Sequence, residues 1–271
     1  MSEGVTPLAD FDDPGNFVAA PSPVTEAQTP SFLEMVIFFV LAGLLLLLTQ
    51  VAGALLVMHF HLLAHASLRG LAANPRFSIP MMAISYAVIL WACLALYGRI
   101  WPQGFFQGVH WNWAAARRHQ LWLPLLGILL GVGIQFASSF LPIPKQMPID
   151  AMFRTPFDAW MVALFGVFIA PCAEEIAFRG FLYPALRPWT GRILAAVLTS
   201  VPFALLHAQQ VAHAWAPLAM VFLVSLVLVA VRDRTGSVAA SAIVHACYNL
   251  SIFAALFAAS DGFRHLQHLN D

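Results

Sequence analysis

Charge is what this sequence has least of. Only 10% of its 271 residues are Asp, Glu, Lys or Arg, where a soluble domain carries about 25%. With 61% hydrophobic residues and a mean hydropathy of +0.79, the composition excludes a water-soluble globular domain and points to a polytopic membrane protein. The few charges also balance, thirteen basic against thirteen acidic, so no basic field exists to attract nucleic acid. Cysteine is scarce too. Cys93, Cys172 and Cys247 lie far apart inside apolar segments, which excludes a disulfide framework and suits small buried hydrophobes. Cys172 stands two residues before Glu174, but nothing beside it favours a thiolate, so it is not read as a nucleophile. Three further patterns are missing: the H-E-x-x-H zinc signature, the charged start and apolar core of a signal peptide, and the internal repeat of an inverted-halves transporter.

What the chain does have is a series of long apolar runs. Residues 1–31 hold five prolines, five acidic residues and no Lys or Arg, a composition expected to stay disordered. Beyond them come seven apolar segments (six to eight, given loose boundaries): 32–58, 79–97, 121–141, 157–178, 193–208, 215–231 and 237–258, each long enough to cross or nearly cross a bilayer. His61 and His65 share a helix face after the first, but no third ligand joins them, so they are read as ordinary interfacial histidines. Residues 98–120, with Trp101, Trp111, Trp113, Arg117 and Arg118, suit the headgroup level and a short helix from Trp113 to His119. The stretch 180–192, with Pro184, Pro188 and Trp189, reads as a broken interfacial turn. The expected fold is all-α, a transmembrane helical bundle. Its organisation is a tail at 1–31, amino-terminal helices and an interfacial segment at 32–156, a functional core at 157–258 and a polar tail at 259–271. Eight of the thirteen basic residues fall on one side of this arrangement, which places the amino terminus inside and the protein in the cytoplasmic membrane.

Three polar constellations interrupt the oily segments. Glu174, Glu175 and Arg179 close the fourth, with Glu175 and Arg179 four apart and able to pair, while Glu174 points about a third of a turn away. Phe203 and His207 share a face of the fifth segment, and His245 and Asn249 share a face of the last. Ionisable groups within membrane helices are expensive and usually face a cavity or a partner. Helix rise puts His245 about 16 Å from Arg234, near the bilayer midplane, and the other two sets lie at comparable depth. Brought together, they make a hydrolytic site. A carboxylate in apolar surroundings acts as general base on a water, His207 orients that water, and His245 with Asn249 donates to an oxyanion. Zinc is the open alternative, since Glu174, His207 and His245 are a familiar ligand set with a fourth position left for water.

E-E-I-A-F-R-G at 174–180, F-A-L-L-H at 203–207 and H-A-C-Y-N at 245–249 resemble the E-E-x-x-x-R, F-x-x-x-H and H-x-x-x-N motifs of the CAAX-protease and bacteriocin-processing family of intramembrane proteases, which includes the type II CAAX prenyl endopeptidases. The resemblance covers about residues 157–258. It implies an intramembrane endopeptidase with Glu174 as catalytic base, His207 helping to activate the water, His245 and Asn249 at the oxyanion, and Glu175, Arg179 and Phe203 in support. Both metal-dependent and glutamate-dependent mechanisms are described for the family, so a zinc ion or none is implied. The expected substrate is a membrane-anchored protein or peptide, lipidated or not, met within the lipid. Two other classes compete: a scaffold or bacteriocin-immunity factor that binds a peptide without cutting it, and a proton-coupled transporter. The full set of Glu174, His207, His245 and Asn249 disfavours the first, and the lack of repeats disfavours the second.

Overall fold

The computed structural model describes residues 29–62, 67–144 and 146–266. The expected amino-terminal tail up to residue 28, His65 and the last five residues lie outside it. Every regular element among the described residues is helical. The helices are α1 (Phe32–His59), α2 (Leu68–Ala72), α3 (Pro75–Ile100), α4 (Phe105–Gly108), α5 (Trp113–Arg117), α6 (Trp122–Ser138), α7 (Pro156–Leu164), α8 (Ala170–Glu175), α9 (Tyr183–Leu206), α10 (Trp215–Thr235) and α11 (Val238–Ala259). Two π-helical segments, Phe165–Ile169 and Ile176–Leu182, flank α8 and join α7 to α9 in one run of 51 residues. Among the described residues five helices, this run included, are long and apolar enough to cross a membrane, and α6 is a shorter apolar one. Large apolar side chains such as Leu47, Trp91, Leu129 and Phe168 point outward, which water would penalise and lipid does not. The chain is an integral membrane protein built as a polytopic helical bundle.

The 51-residue run is where structure departs most from expectation. The stretch 180–192 is helix up to Thr190, not a broken turn, and the break falls on Gly191 alone. Its φ of 76° and ψ of 176° lie where a side chain is disfavoured. There the chain reverses, so Phe203 comes back to meet Phe178 with ring centroids 5.1 Å apart. One long apolar run therefore contains two antiparallel arms. Pro184 is accommodated because it stands in the first turn of α9, directly after the second π segment.

Polar contacts pin the ends of the bundle. Ser31 caps α1, accepting from the Glu34 N–H at 3.3 Å while its own N–H donates to Glu34 Oε2 at 2.7 Å. The other oxygen, Glu34 Oε1, accepts from Trp101 Nε1 at 2.6 Å, and Tyr97 donates to the Glu34 carbonyl at 2.8 Å. Trp101 is thus 1% exposed, a core residue rather than an interfacial anchor, because the carboxylate satisfies its indole N–H. It stacks with Phe105, and both lie against Phe181, whose ring stacks on Phe38 at 4.1 Å. This aromatic cluster locks α1, α3 and α4 onto the second π segment. At the opposite end, Asp158 in the first turn of α7 accepts from Arg76 of α3 at 2.8 Å.

Helix α6 packs on α11 through Gly127 and Gly131. A Cβ on Gly127 would lie 2.5 Å from the Val244 carbonyl and 2.7 Å from Cys247 Cβ, and one on Gly131 would overlap Ser251. Only glycine permits this approach, the small-residue packing that membrane helices use where burial from water gives no drive. The contact sets the position of α11, and α11 carries His245 and Asn249.

Candidate active site

The two π segments place the acidic pair. A π-helical turn inserts an extra residue and rotates the face that the next helical turn presents. With one such insert on each side, the single α-helical turn of α8 turns Glu175 wholly inward, 0% exposed, and leaves Glu174 at a partly open edge, its side chain 20% exposed. The adjacent glutamates therefore occupy different environments.

Glu175 is the hub. Its Oε1 accepts from Arg179 Nη1 at 2.9 Å and from His245 Nδ1 at 3.0 Å. Arg179, also 0% exposed, donates from Nη2 to both the carbonyl and the hydroxyl of Ser225 on α10, at 2.9 and 2.7 Å. Its guanidinium carbon stands 4.6 Å from the centroid of the Phe203 ring, a cation–π contact. One ion pair thus ties together α8, the second π segment, α9, α10 and α11. A buried charge pair with this many hydrogen bonds fixes geometry, because removing either partner strands the other.

His245 is held by this hub and aimed by it. With Nδ1–H donating to Glu175, the neutral ring carries its free lone pair on Nε2. That nitrogen lies 3.9 Å from Glu174 Oε2. The gap is too long for a direct hydrogen bond and joins two acceptors, so it suits a water donating one hydrogen to each. His207 closes the neighbouring wall. Its Nδ1 donates to the Phe203 carbonyl at 2.9 Å, leaving Nε2 free. The Phe203 ring separates the two imidazoles, with centroids 5.0 Å from His207 and 5.8 Å from His245. Asn249, one turn beyond His245, donates from Nδ2 to the Gly166 carbonyl in the first π segment at 2.6 Å. An amide nitrogen carries two hydrogens, so one remains.

The structure thus gathers all seven expected residues. Glu175, Arg179 and His245 bond directly, Glu174 stands across a short gap from His245, Phe203 packs among them, and Asn249 is anchored alongside. No hydrogen bond or ion pair among the described residues links His207 to Glu174. Nor does any group of three His, Cys, Asp or Glu side chains among the described residues converge to hold a metal ion. Glu174, His207 and His245 therefore do not fit a three-ligand zinc site as folded. Two participants went unnoticed in the sequence, Ser225 and Gly166. Ser225 offers the weak signal of a hydroxyl in the middle of an apolar helix, whereas the Gly166 carbonyl has no side chain to give any. Cys172 donates its thiol to the Phe168 carbonyl at 3.4 Å and takes no part.

The sequence model of the family described as type II CAAX prenyl endopeptidase, Rce1-like, matches residues 156–251. This stretch of the chain is similar to that family. The match begins at the start of α7 and takes in all three constellations, so the buried hub and both imidazoles lie inside the Rce1-like region, while α1 to α6 lie outside it. No curated protein and no solved structure matches the chain. That similarity supports an intramembrane endopeptidase in general terms.

Proposed function

We propose that the protein hydrolyses a peptide bond of a membrane-anchored protein or peptide, with Glu174 as general base. The observation that carries this is the 3.9 Å gap between Glu174 Oε2 and His245 Nε2. A water bridging these two acceptors has its own lone pairs turned outward, toward a carbonyl carbon. As its oxygen attacks, the proton passes to Glu174. The tetrahedral intermediate then collapses, Glu174 returns the proton to the leaving amine nitrogen, and the C–N bond breaks. Glu175 and Arg179 hold His245 in one tautomer and orientation. The remaining Asn249 N–H serves the developing oxyanion, and His207 lines the cavity with its free Nε2.

Cleavage of lipidated and unmodified peptides by purified wild type, Glu174→Gln, His245→Ala and His207→Ala tests this reading. Wild type is expected to cleave, Glu174→Gln to be inactive while still folded, and His245→Ala to lose about 10²–10⁴ in rate. A chelator should leave the wild-type rate unchanged. Unimpaired cleavage by Glu174→Gln would remove the proposed base, and loss of activity on chelation would return a metal to the site.

A further inference from the structure

Away from the hub, at the end of α10, one buried cation has no hydrogen-bond partner. Arg232 is 7% exposed and makes no hydrogen bond or ion pair to the described residues, and its Nε is sealed from the surface. The nearest carboxylate, Asp233, is already occupied. Its Oδ1 accepts from Tyr183 at 2.9 Å and lies 3.3 Å from Arg187 Nη1, while its Oδ2 lies 2.5 Å from Arg192 Nη2. Asp233 is still close enough to attract Arg232 across space, and Arg187 is close enough to repel it, but neither gives its guanidinium a hydrogen-bond partner. On the other side stands His110, whose carbonyl accepts from the Val238 N–H at 3.0 Å, beside the turn after α10. Its Nε2 is also sealed without a partner. Three guanidinium groups thus share one carboxylate, and the His110 imidazole is near the most buried of them.

The negative end of the α10 dipole offsets only about half a charge. Water alone can solvate an exposed arginine, but a guanidinium this buried calls for an acceptor of opposite charge. The position says which anion is at hand. Arg187 and Arg192 keep half or more of their side chains exposed, and Trp189, between them in the sequence, is 79% exposed. Arginines and an exposed tryptophan at the end of apolar helices mark the headgroup level. Guanidinium forks match phosphate oxygens with paired N–H donors. The geometry points to a site for the phosphate of an anionic membrane lipid, framed by Arg187, Arg192 and Arg232 with His110 at its floor.

The test uses the full chain in neutral detergent, titrated with phosphatidylglycerol, phosphatidylcholine or inorganic phosphate. Retained lipid is read by native mass spectrometry and the melting temperature is followed alongside. Phosphatidylglycerol is expected to stay bound and raise the melting temperature, with phosphatidylcholine and inorganic phosphate doing neither. Arg232→Gln should weaken phosphatidylglycerol binding by about tenfold or more and melt no lower than wild type when lipid is absent, since it removes a buried charge that no hydrogen bond satisfies. Arg69→Gln, an exposed change on α2, should bind as wild type does. A purely structural Arg232 would instead lower the melting temperature equally with and without lipid. That result, equal retention of both lipids, or a shift saturated by inorganic phosphate alone would overturn the assignment.

Discussion

Replacing Glu175 with glutamine should unfold this protein far more readily than the same change at its neighbour Glu174. Glu175 is fully buried and its Oε1 holds both Arg179 and His245. Its loss leaves a guanidinium that is 0% exposed with only neutral acceptors, the new amide oxygen and Ser225. Breaking a buried ion pair on one side costs about 3–5 kcal/mol. Glutamine keeps one acceptor in place, so the lower end, about 3 kcal/mol, is expected. For a chain of this size that is a fall of about 6–12 °C in melting temperature. The Glu174 side chain is 20% exposed and faces His245 across 3.9 Å, and the Arg179 charge acts on it only across space. Neutralising it should move stability by no more than about 0.5 kcal/mol while abolishing the proposed cleavage. Thermal unfolding of wild type and both variants in one detergent decides the matter. If Glu175→Gln melts within about a degree of wild type, or Glu174→Gln is the less stable of the two, the assignment of structure to one glutamate and chemistry to the other is wrong.

Other consequences are as direct. Gly127→Ala forces α6 away from the Val244 carbonyl and should cost about 1–3 kcal/mol in thermal unfolding; because Val244 adjoins His245, the cleavage rate should fall with it. Asn249→Ala removes the 2.6 Å hydrogen bond to Gly166, an expected loss of about 1–2 kcal/mol, and Asn249→Asp, which offers no donor to that carbonyl when ionised, should not restore it. Burial, aided by the nearby Arg232 charge, pushes the His110 imidazole down to about 4, against about 6.5 in an unfolded chain. Between these values the unfolded state binds the additional proton, so stability is lost as pH falls through that window and is untouched above it. The effect is at most about 3 kcal/mol, and His110→Gln should flatten the slope of stability against pH between about 4 and 6.5.

Much of this molecule was legible from its residues because the relevant geometry is local. A run of leucine, valine and phenylalanine long enough to span lipid must form a helix, since the backbone has no other way to satisfy its polar groups there. Spacing of four along such a helix puts Glu175 beside Arg179, and the structure finds them 2.9 Å apart. The same rule aligned Phe203 with His207 and His245 with Asn249. These pairings rest on the pitch of one helix, and they stay local wherever the helices pack.

What only the tertiary structure decided are the relations between helices. That Glu175 rather than Glu174 receives His245, seventy residues away, depends on two π-helical inserts that rotate α8, and no composition or period announces them. That α11 stands close enough to reach Glu175 depends on Gly127 and Gly131 meeting its backbone. Trp101, with the makeup of an interfacial anchor, is drawn into the core because the capping glutamate of α1 happens to face it. The stretch 180–190 stays helical because the chain can reverse at Gly191 alone. Helix rotation, tilt and approach are settled by the packing of all segments at once, which is why the residue types of the site could be read along the chain and its geometry could not.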